Sequence, residues 1–303
     1  MKRQTNQPVR SMAWRRAYRR EQLSLTFMIL PFLILFFLFI LLPVLSSVVL
    51  SFFRYDMVSL PDFNGARNYL RMFLSDSVFP IAVRNTLMFA VVTGPVSFVL
   101  AFLLAWLINE FGKGMRSFLS FLFYSPALMG NVYFIWQVLF SGDSYGYVNS
   151  LLLSMSLITA PIQWFKSTEY ALGIVMVVQL WMSMGVSFLA NISGLQNVNE
   201  ELYEAGSIDG IRNRWQELWY ITLPSMRSIL FFGCVMQIQA TFSVSQVAMQ
   251  LTGFPSVNYS TETIVTHLID VGTVRYEMGY AAAISVFLFV LMAIARVLAG
   301  KLI

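Results

Sequence analysis

The sequence predicts an all-α membrane protein with six transmembrane helices, and three observations carry that reading. The chain has 303 residues, 57% of them hydrophobic and only 12% charged, against roughly 25% charged in soluble domains. The apolar residues are gathered into long runs. Six runs, near 24–51, 85–108, 117–140, 170–193, 226–251 and 278–298, are long enough to cross a membrane, since a core about 30 Å thick takes about 20 helical residues. No charged residue falls in the middle of any run. Arg227 and Arg296 lie near ends, from where long side chains reach the headgroups.

Residues 1–23 form a basic tail with Lys2, Arg3, Arg10, Arg15, Arg16, Arg19 and Arg20. A basic segment before an apolar one also describes a secretory signal. This apolar run is about 27 residues, too long for a signal core, and no small-residue cleavage site follows it. It is therefore read as a retained anchor, and 24–303 as one transmembrane domain.

Orientation follows from Lys and Arg placement. With the tail inside, the inner segments hold fourteen of these residues and the outer segments six. Both termini are therefore predicted to be cytoplasmic, with the tail on anionic lipid. The segments 52–84, 141–169 and 252–277 then lie outside. Within 141–169 the piece LLLSMSL is too short to span and is expected at the interface, where Pro161 and Trp164 suit it.

The inner loop 197–224 is the long charged interruption of the second half. From Asn199 it carries five carboxylates (Glu200, Glu201, Glu204, Asp209, Glu217) against Arg212 and Arg214, a net charge of −3. Anionic lipid would repel it, so its acidity points to a protein partner. Asn199 is placed to cap a helix. Asp209-Gly210 marks a bend, with Asp209 expected to cap a second helix. Ile211, Trp215, Leu218 and Thr222 recur at helical spacing, and Pro224 suits the first turn of the following helix. Trp215, Leu218 and Trp219 are candidate apolar anchors for the partner.

Glu204-Ala205-Gly206, Asp209-Gly210 and Ile221-Thr222-Leu223-Pro224 together resemble the EAA loop of ABC importer permeases. Gly206 and Ile211 stand where that family usually has Ala. FNGARNYLRMF, Arg84-Asn85-Thr86, the run LWMSMGVSFLANISGLQNVNEELYEA, and Met278 to Ser285 are similar to carbohydrate-importer permeases of the maltose type. After span five this chain has Gly253-Phe254-Pro255 where the family often has a Gly-Gly-Pro turn. The resemblance implies the type I importer fold with a cytoplasmic coupling helix and location in a bacterial or archaeal cell membrane. It also implies a second related permease, two ATP-binding subunits and a solute-binding protein outside as partners, and a sugar as substrate. Glu204, Ala205, Gly206, Asp209, Gly210, Trp215, Leu223 and Pro224 are then the residues that dock the ATPase.

The residues argue against other classes. There is no nucleophile elbow, no HExxH and no carboxylate pair within a span, so no enzyme chemistry is expected. His267, the one histidine, lies in an outer segment beside Asp270 and reads as a surface residue; a metal site needs several ligands. Cys234 is the one cysteine and reads as a packed thiol. Gly112-Lys113-Gly114 and Gly300-Lys301 lack the rest of a phosphate loop. No cofactor is therefore expected on this chain, and ATP belongs to the partners. The basic charges lie at membrane boundaries, which argues against nucleic acid. An ion-coupled secondary transporter is an alternative, although no ionisable group is available midspan to hold the coupling ion. A substrate-free membrane assembly protein is another. Neither accounts for the acidic loop.

For the substrate path the candidates are neutral. Gln239, Ser243, Gln246 and Gln250 recur at 4, 3 and 4. On one continuous helix they fall within about 60° of arc and rise about 16 Å. Tyr133, Trp136 and Gln137 in span three, and Gln179 in span four, complete the set. Amides hydrogen-bond hydroxyls, and aromatic rings cover the apolar faces of a sugar. A neutral mono- or oligosaccharide is the expected substrate. The competing reading of these residues is helix-to-helix bonding.

Overall fold

A computed structural model describes residues 25–130, 132–183 and 185–302; the basic tail lies outside the described residues. Five helices are long and apolar enough to cross a membrane, and a bent pair makes a sixth span. Span one is α1 (Leu25–Leu50). After a two-residue antiparallel pairing of β1 (Phe53–Arg54) with β2 (Asp62–Phe63) come α2 (Arg67–Leu74) and span two, α3 (Phe79–Asn109). Span three is α4 (Lys113–Leu128) with α5 (Tyr133–Leu139). A surface helix α6 (Tyr147–Ser154) precedes span four, which is α7 (Ala171–Met182) with α8 (Val186–Gln196). Next come α9 (Glu200–Ile208) and α10 (Arg214–Glu217), then span five as α11 (Arg227–Phe242) with α12 (Gln246–Thr252). Last are α13 (Ile264–Ile269) and span six, α14 (Met278–Leu302).

Span two starts earlier than its apolar run. Asp76 Oδ1 accepts hydrogen bonds from the Val78 and Phe79 amides, which ends the preceding loop and launches the helix at Phe79.

Three of the apolar runs are not single helices. In span three the axes of α4 and α5 differ by 85°. Pro126 inside α4 cannot donate to the Leu122 carbonyl, and the Ser125 hydroxyl takes that carbonyl instead, at 2.8 Å. Span four is interrupted between Met182 and Val186, around Gly185 with φ −112° and ψ −125°. Span five is interrupted after Phe242. The Val244 carbonyl there accepts from the buried Thr263 hydroxyl at 2.7 Å, so a side chain from another segment satisfies backbone that leaves the helix.

The motif residues outside the membrane runs tie the fold together. Asn68 Nδ2 donates to the carbonyls of Ser51 and Phe53, and the Tyr69 hydroxyl donates to Ser51 Oγ. Gly279 sits against the same turn: a Cβ there would lie 2.0 Å from the Phe53 carbonyl oxygen. Asn85 Nδ2 donates to the carbonyls of Ser260 and Glu262, and Thr86 Oγ1 accepts from the Ile264 amide. Asn-Tyr and Asn-Thr thus clamp the segments after spans one and five onto spans one, two and six.

His267 corrects the reading as a surface residue. It is 1% exposed, and its Nε2 lies 2.8 Å from Asp76 Oδ2. Asp76 also accepts from Tyr280. Asp270 instead pairs with Arg275. α13 and the π turn after it (Asp270–Val274) are apolar on the side facing α3 and α14, with Ile264 and Val271 wholly buried, which draws His267 inward between them. Burial alone would raise the Asp76 carboxyl, but hydrogen bonds from Tyr280 and His267 outweigh it and hold the group below the usual carboxylate range. Burial pushes the nearby Glu262 carboxyl up.

Candidate functional site: an acidic helix pair and an interrupted path

The 199–225 stretch folds as two packed helices. Asn199 Oδ1 accepts from the Glu201 amide and caps α9, with Glu200 and Glu201 in the first turn, where carboxylates suit the helix dipole. α9 ends in a paired closing motif: Ile211 N–H donates to the Gly206 carbonyl and Gly210 N–H to the Ser207 carbonyl. Gly210 has φ +97°, a conformation that glycine adopts without strain.

Asp209 does not cap the second helix. It is the C-cap of the first, and the N-cap of the second is Asn213, whose Oδ1 accepts from the Gln216 amide at 2.8 Å. The Gln216 side chain reaches back to the Arg212 amide. The helical backbone that begins at Arg214 continues through a π turn at Leu218–Thr222 and a short turn at Leu223–Ser225. Pro224 sits in that last turn, just before a break at Met226.

Tyr203 Oη and Thr222 Oγ1, 3.0 Å apart, join the two helices of the pair to each other. Two contacts fix the pair to the transmembrane helices. Arg214 bridges Glu217 at 2.8 Å and Glu110, just past α3, at 2.7 Å. Trp215 packs on Trp106 with centroids 5.4 Å apart. Leu218 is 3% exposed and belongs to this chain's own core, with Phe188 and Met226, so it is not a surface anchor. The outward face carries Glu200, Glu201, Glu204, Ala205, Asp209, Gly210 and Pro224, all exposed, while Gly206 is buried and Leu223 partly so. Among them stand large apolar side chains: Ile208 is 86% exposed, Trp215 60%, Trp219 64% and Tyr220 73%.

In span five the expected stripe crosses a broken helix. Gln239 lies on α11, Ser243 at its C-cap, and Gln246 and Gln250 on α12. All four are nevertheless exposed on the surface of the chain. Gln137 Nε2 donates to the Gln250 carbonyl at 2.6 Å, joining span three to this surface. Tyr133 and Gln179 are each 8% exposed, and Tyr133 packs with Val178 and Val247. Trp136 packs on Trp181, 5.5 Å between centroids. These three side chains therefore lie within the helix packing behind the exposed amides.

Two features were missed from the sequence. Asn149 is wholly buried; its Nδ2 donates to the carbonyls of Ser141, Asp143 and Ile162, and its Oδ1 accepts from the Ile162 amide and the Trp164 indole. This one side chain organises the 141–169 segment. Buried polar atoms of Ser97, Ser187, Asn191 and Gln237 on spans two, four and five have no hydrogen-bond partner among the described residues. Their serine and amide residues carried no distinguishing pattern among apolar neighbours.

A chain of interrupted apolar helices, with an acidic helix pair displayed beside them, defines a multi-pass membrane permease. The comparisons with known proteins agree. No protein-family model matches the chain. It is 30% identical over 295 residues to the probable ABC transporter permease protein YesP of Bacillus subtilis, covering 94% of this chain and 92% of that protein. It is 28% identical to the arabinooligosaccharides transport system permease protein AraP of the same organism, covering 98% and 95%. It is also 28% identical to the trehalose/maltose transport system permease protein MalF of Thermococcus litoralis, covering 91% of each. The fold matches a chain of a bacterial alginate ABC transporter crystallised with an alginate pentasaccharide-bound periplasmic protein. That match has a TM-score of 0.76 and 22% identity, with 96% of both chains covered. The chain belongs to the ABC transporter permease family, alongside permeases named for sugar and oligosaccharide transport.

Proposed function

We propose that this chain is one permease subunit of an ATP-driven importer for a neutral sugar or oligosaccharide, set in a bacterial or archaeal cell membrane with both termini in the cytoplasm. A second related permease supplies the other half of the path. Two ATP-binding subunits dock on the cytoplasmic side, and a solute-binding protein delivers the sugar from outside. Membrane lipid surrounds the spans. The observation that carries the reading is the 199–225 pair: exposed carboxylates beside exposed Ile208, Trp215, Trp219 and Tyr220. Such a surface fits a protein cleft that is basic at its rim and apolar within. The pair is fastened to span two through Glu110 and shares a buried cluster with span five through Leu218 and Leu230, so movement of the ATPase reaches the helix that carries Gln239. The absence of charge midspan favours a neutral cargo.

Glu204→Lys and Gly210→Val test this. Each is expected to leave membrane insertion intact and to reduce both co-purification of the ATPase and its stimulation by loaded binding protein. Normal values of both in the two variants would overturn the assignment.

A further inference from the structure

At the outer end of spans three and five, by the orientation proposed above, lies a cleft of about 420 Å³. Gln137, Gly142, Gln163, Trp164, Lys166 and Thr252 are among the residues that line it. Its size falls within the range of small-molecule sites, about 300–1,000 Å³.

The cleft is built rather than incidental. Asn149 fixes both walls, since its bonds hold the carbonyls of Ser141 and Asp143 on one side and Ile162 and the Trp164 indole on the other. Gln163 crosses between the walls and donates to the Gly142 carbonyl at 2.7 Å. A Cβ on residue 142 would lie 2.3 Å from Gln163 Oε1, so this crossing depends on glycine. Gln137 is held in the same way by its bond to the Gln250 carbonyl. Each amide thus has its nitrogen tied to backbone, which orients its oxygen as an acceptor. The Lys166 backbone donates to the Gln163 carbonyl, but its ammonium has no ion pair or hydrogen bond among the described residues and the residue is exposed, leaving a cation with three free donors. Trp164 adds an aromatic wall.

Oriented amide acceptors, a free ammonium donor and an aromatic ring form a surface for a pyranose or furanose unit: hydroxyls to the amides and the ammonium, the apolar ring face to the indole. The cleft adjoins the exposed stripe through Gln137, whose amide donates to the Gln250 carbonyl. We infer that the cleft is a mouth subsite that holds one unit of an oligosaccharide while the rest of that chain reaches the stripe. Occupying both rewards an oligosaccharide over a single sugar. This rests on the sugar-importer reading above.

The test uses the assembled transporter, purified without its binding protein. Tritiated arabinotriose, maltotriose and raffinose, with arabinose and glucose, are the probes in a direct binding assay. For the trisaccharide that the wild-type assembly binds best, Gln163→Leu and Lys166→Met are each expected to weaken binding about tenfold, which is about 1.4 kcal/mol. The matching monosaccharide is expected to bind as in wild type. Unchanged trisaccharide affinity in a folded Lys166→Met and Gln163→Leu pair overturns the subsite and leaves the importer reading standing, as does equal weakening for the monosaccharide. Failure of the wild-type assembly to bind or import any of these sugars overturns both.

Discussion

Gly206 and Ile221 meet across the 199–225 helix pair so closely that a methyl group on the glycine would stand 2.6 Å from Ile221 Cδ1. The same methyl would lie 3.1 Å from Ile211 Cδ1. Gly206 and Ile211, the two residues at which this loop leaves its family's usual alanines, therefore explain each other. Isoleucine at 211 fills volume that glycine at 206 leaves open. Gly206→Ala is expected to loosen the pair by overpacking, at a cost of about 1–3 kcal/mol. Ile221→Val removes the obstructing Cδ1, so Gly206→Ala with Ile221→Val should recover much of that loss. Thermal unfolding of the purified assembly measures it. Strictly additive effects of the two changes would show that the contact does not govern the packing.

Asp76 carries a prediction about pH. Its carboxylate accepts from the wholly buried His267 and from Tyr280, and it is held below the usual carboxylate range. A depressed carboxylate contributes stability that is complete above its unfolded value, about pH 4, and that is lost as pH falls through the lowered native value. The wild-type melting temperature should therefore fall on acidification below about pH 4. Asp76→Ala should lower stability already at neutral pH, by about 1–3 kcal/mol for each buried group left unpaired, and flatten the acid limb. A variant that melts at the wild-type temperature at pH 7 would show that the cluster does not hold the loop before span two to the helix of His267.

The spans and the acidic loop were legible because composition and charge placement are written residue by residue. The interruptions were not, since each depends on a distant partner. Val244 leaves the helix because Thr263, nineteen residues on, takes its carbonyl. The position of His267 likewise depends on Asp76, 191 residues earlier; Asp270, its neighbour in sequence, pairs with Arg275 instead. The bend at Gly210 was readable as Asp-Gly, but the true cap, Asn213, lay four residues beyond the expected one. The exposed amides of span five were found by periodicity even though their helix is broken. Tyr133 and Gln179 shared the same chemistry and lie inside the packing, and periodicity does not separate a face turned inward from one turned outward.

Orientation can be tested at exposed positions. Tyr145 is 90% exposed on the segment proposed to lie outside, and Ser207 is exposed on the helix pair. In a Cys234→Ser background, Tyr145→Cys should react in whole cells with an impermeant thiol reagent. Ser207→Cys should react only after the membrane is opened. Ser256 is a poor reporter for the outer face, because it is 6% exposed and its hydroxyl accepts from the Thr261 amide. The reverse labelling pattern would invert the proposed topology.

The amide stripe gives the most direct test of the proposed path. Gln246 opens α12 immediately after the interruption and is exposed, whereas its neighbour Val247 is 5% exposed and packed with Tyr133 and Val178. Gln246→Leu removes a donor and an acceptor from the surface without disturbing the core. It is expected to reduce sugar uptake at least about tenfold, the loss of about 1.4 kcal/mol, while the assembly purifies normally and keeps its basal ATPase rate. The matched control is Val290→Leu on span six, since Val290 is 49% exposed; enlarging Val247 would instead strain a filled core. Uptake by reconstituted vesicles containing loaded binding protein is the measurement. If Gln246→Leu transports as well as Val290→Leu, the exposed amides of span five face a neighbouring helix and not the sugar.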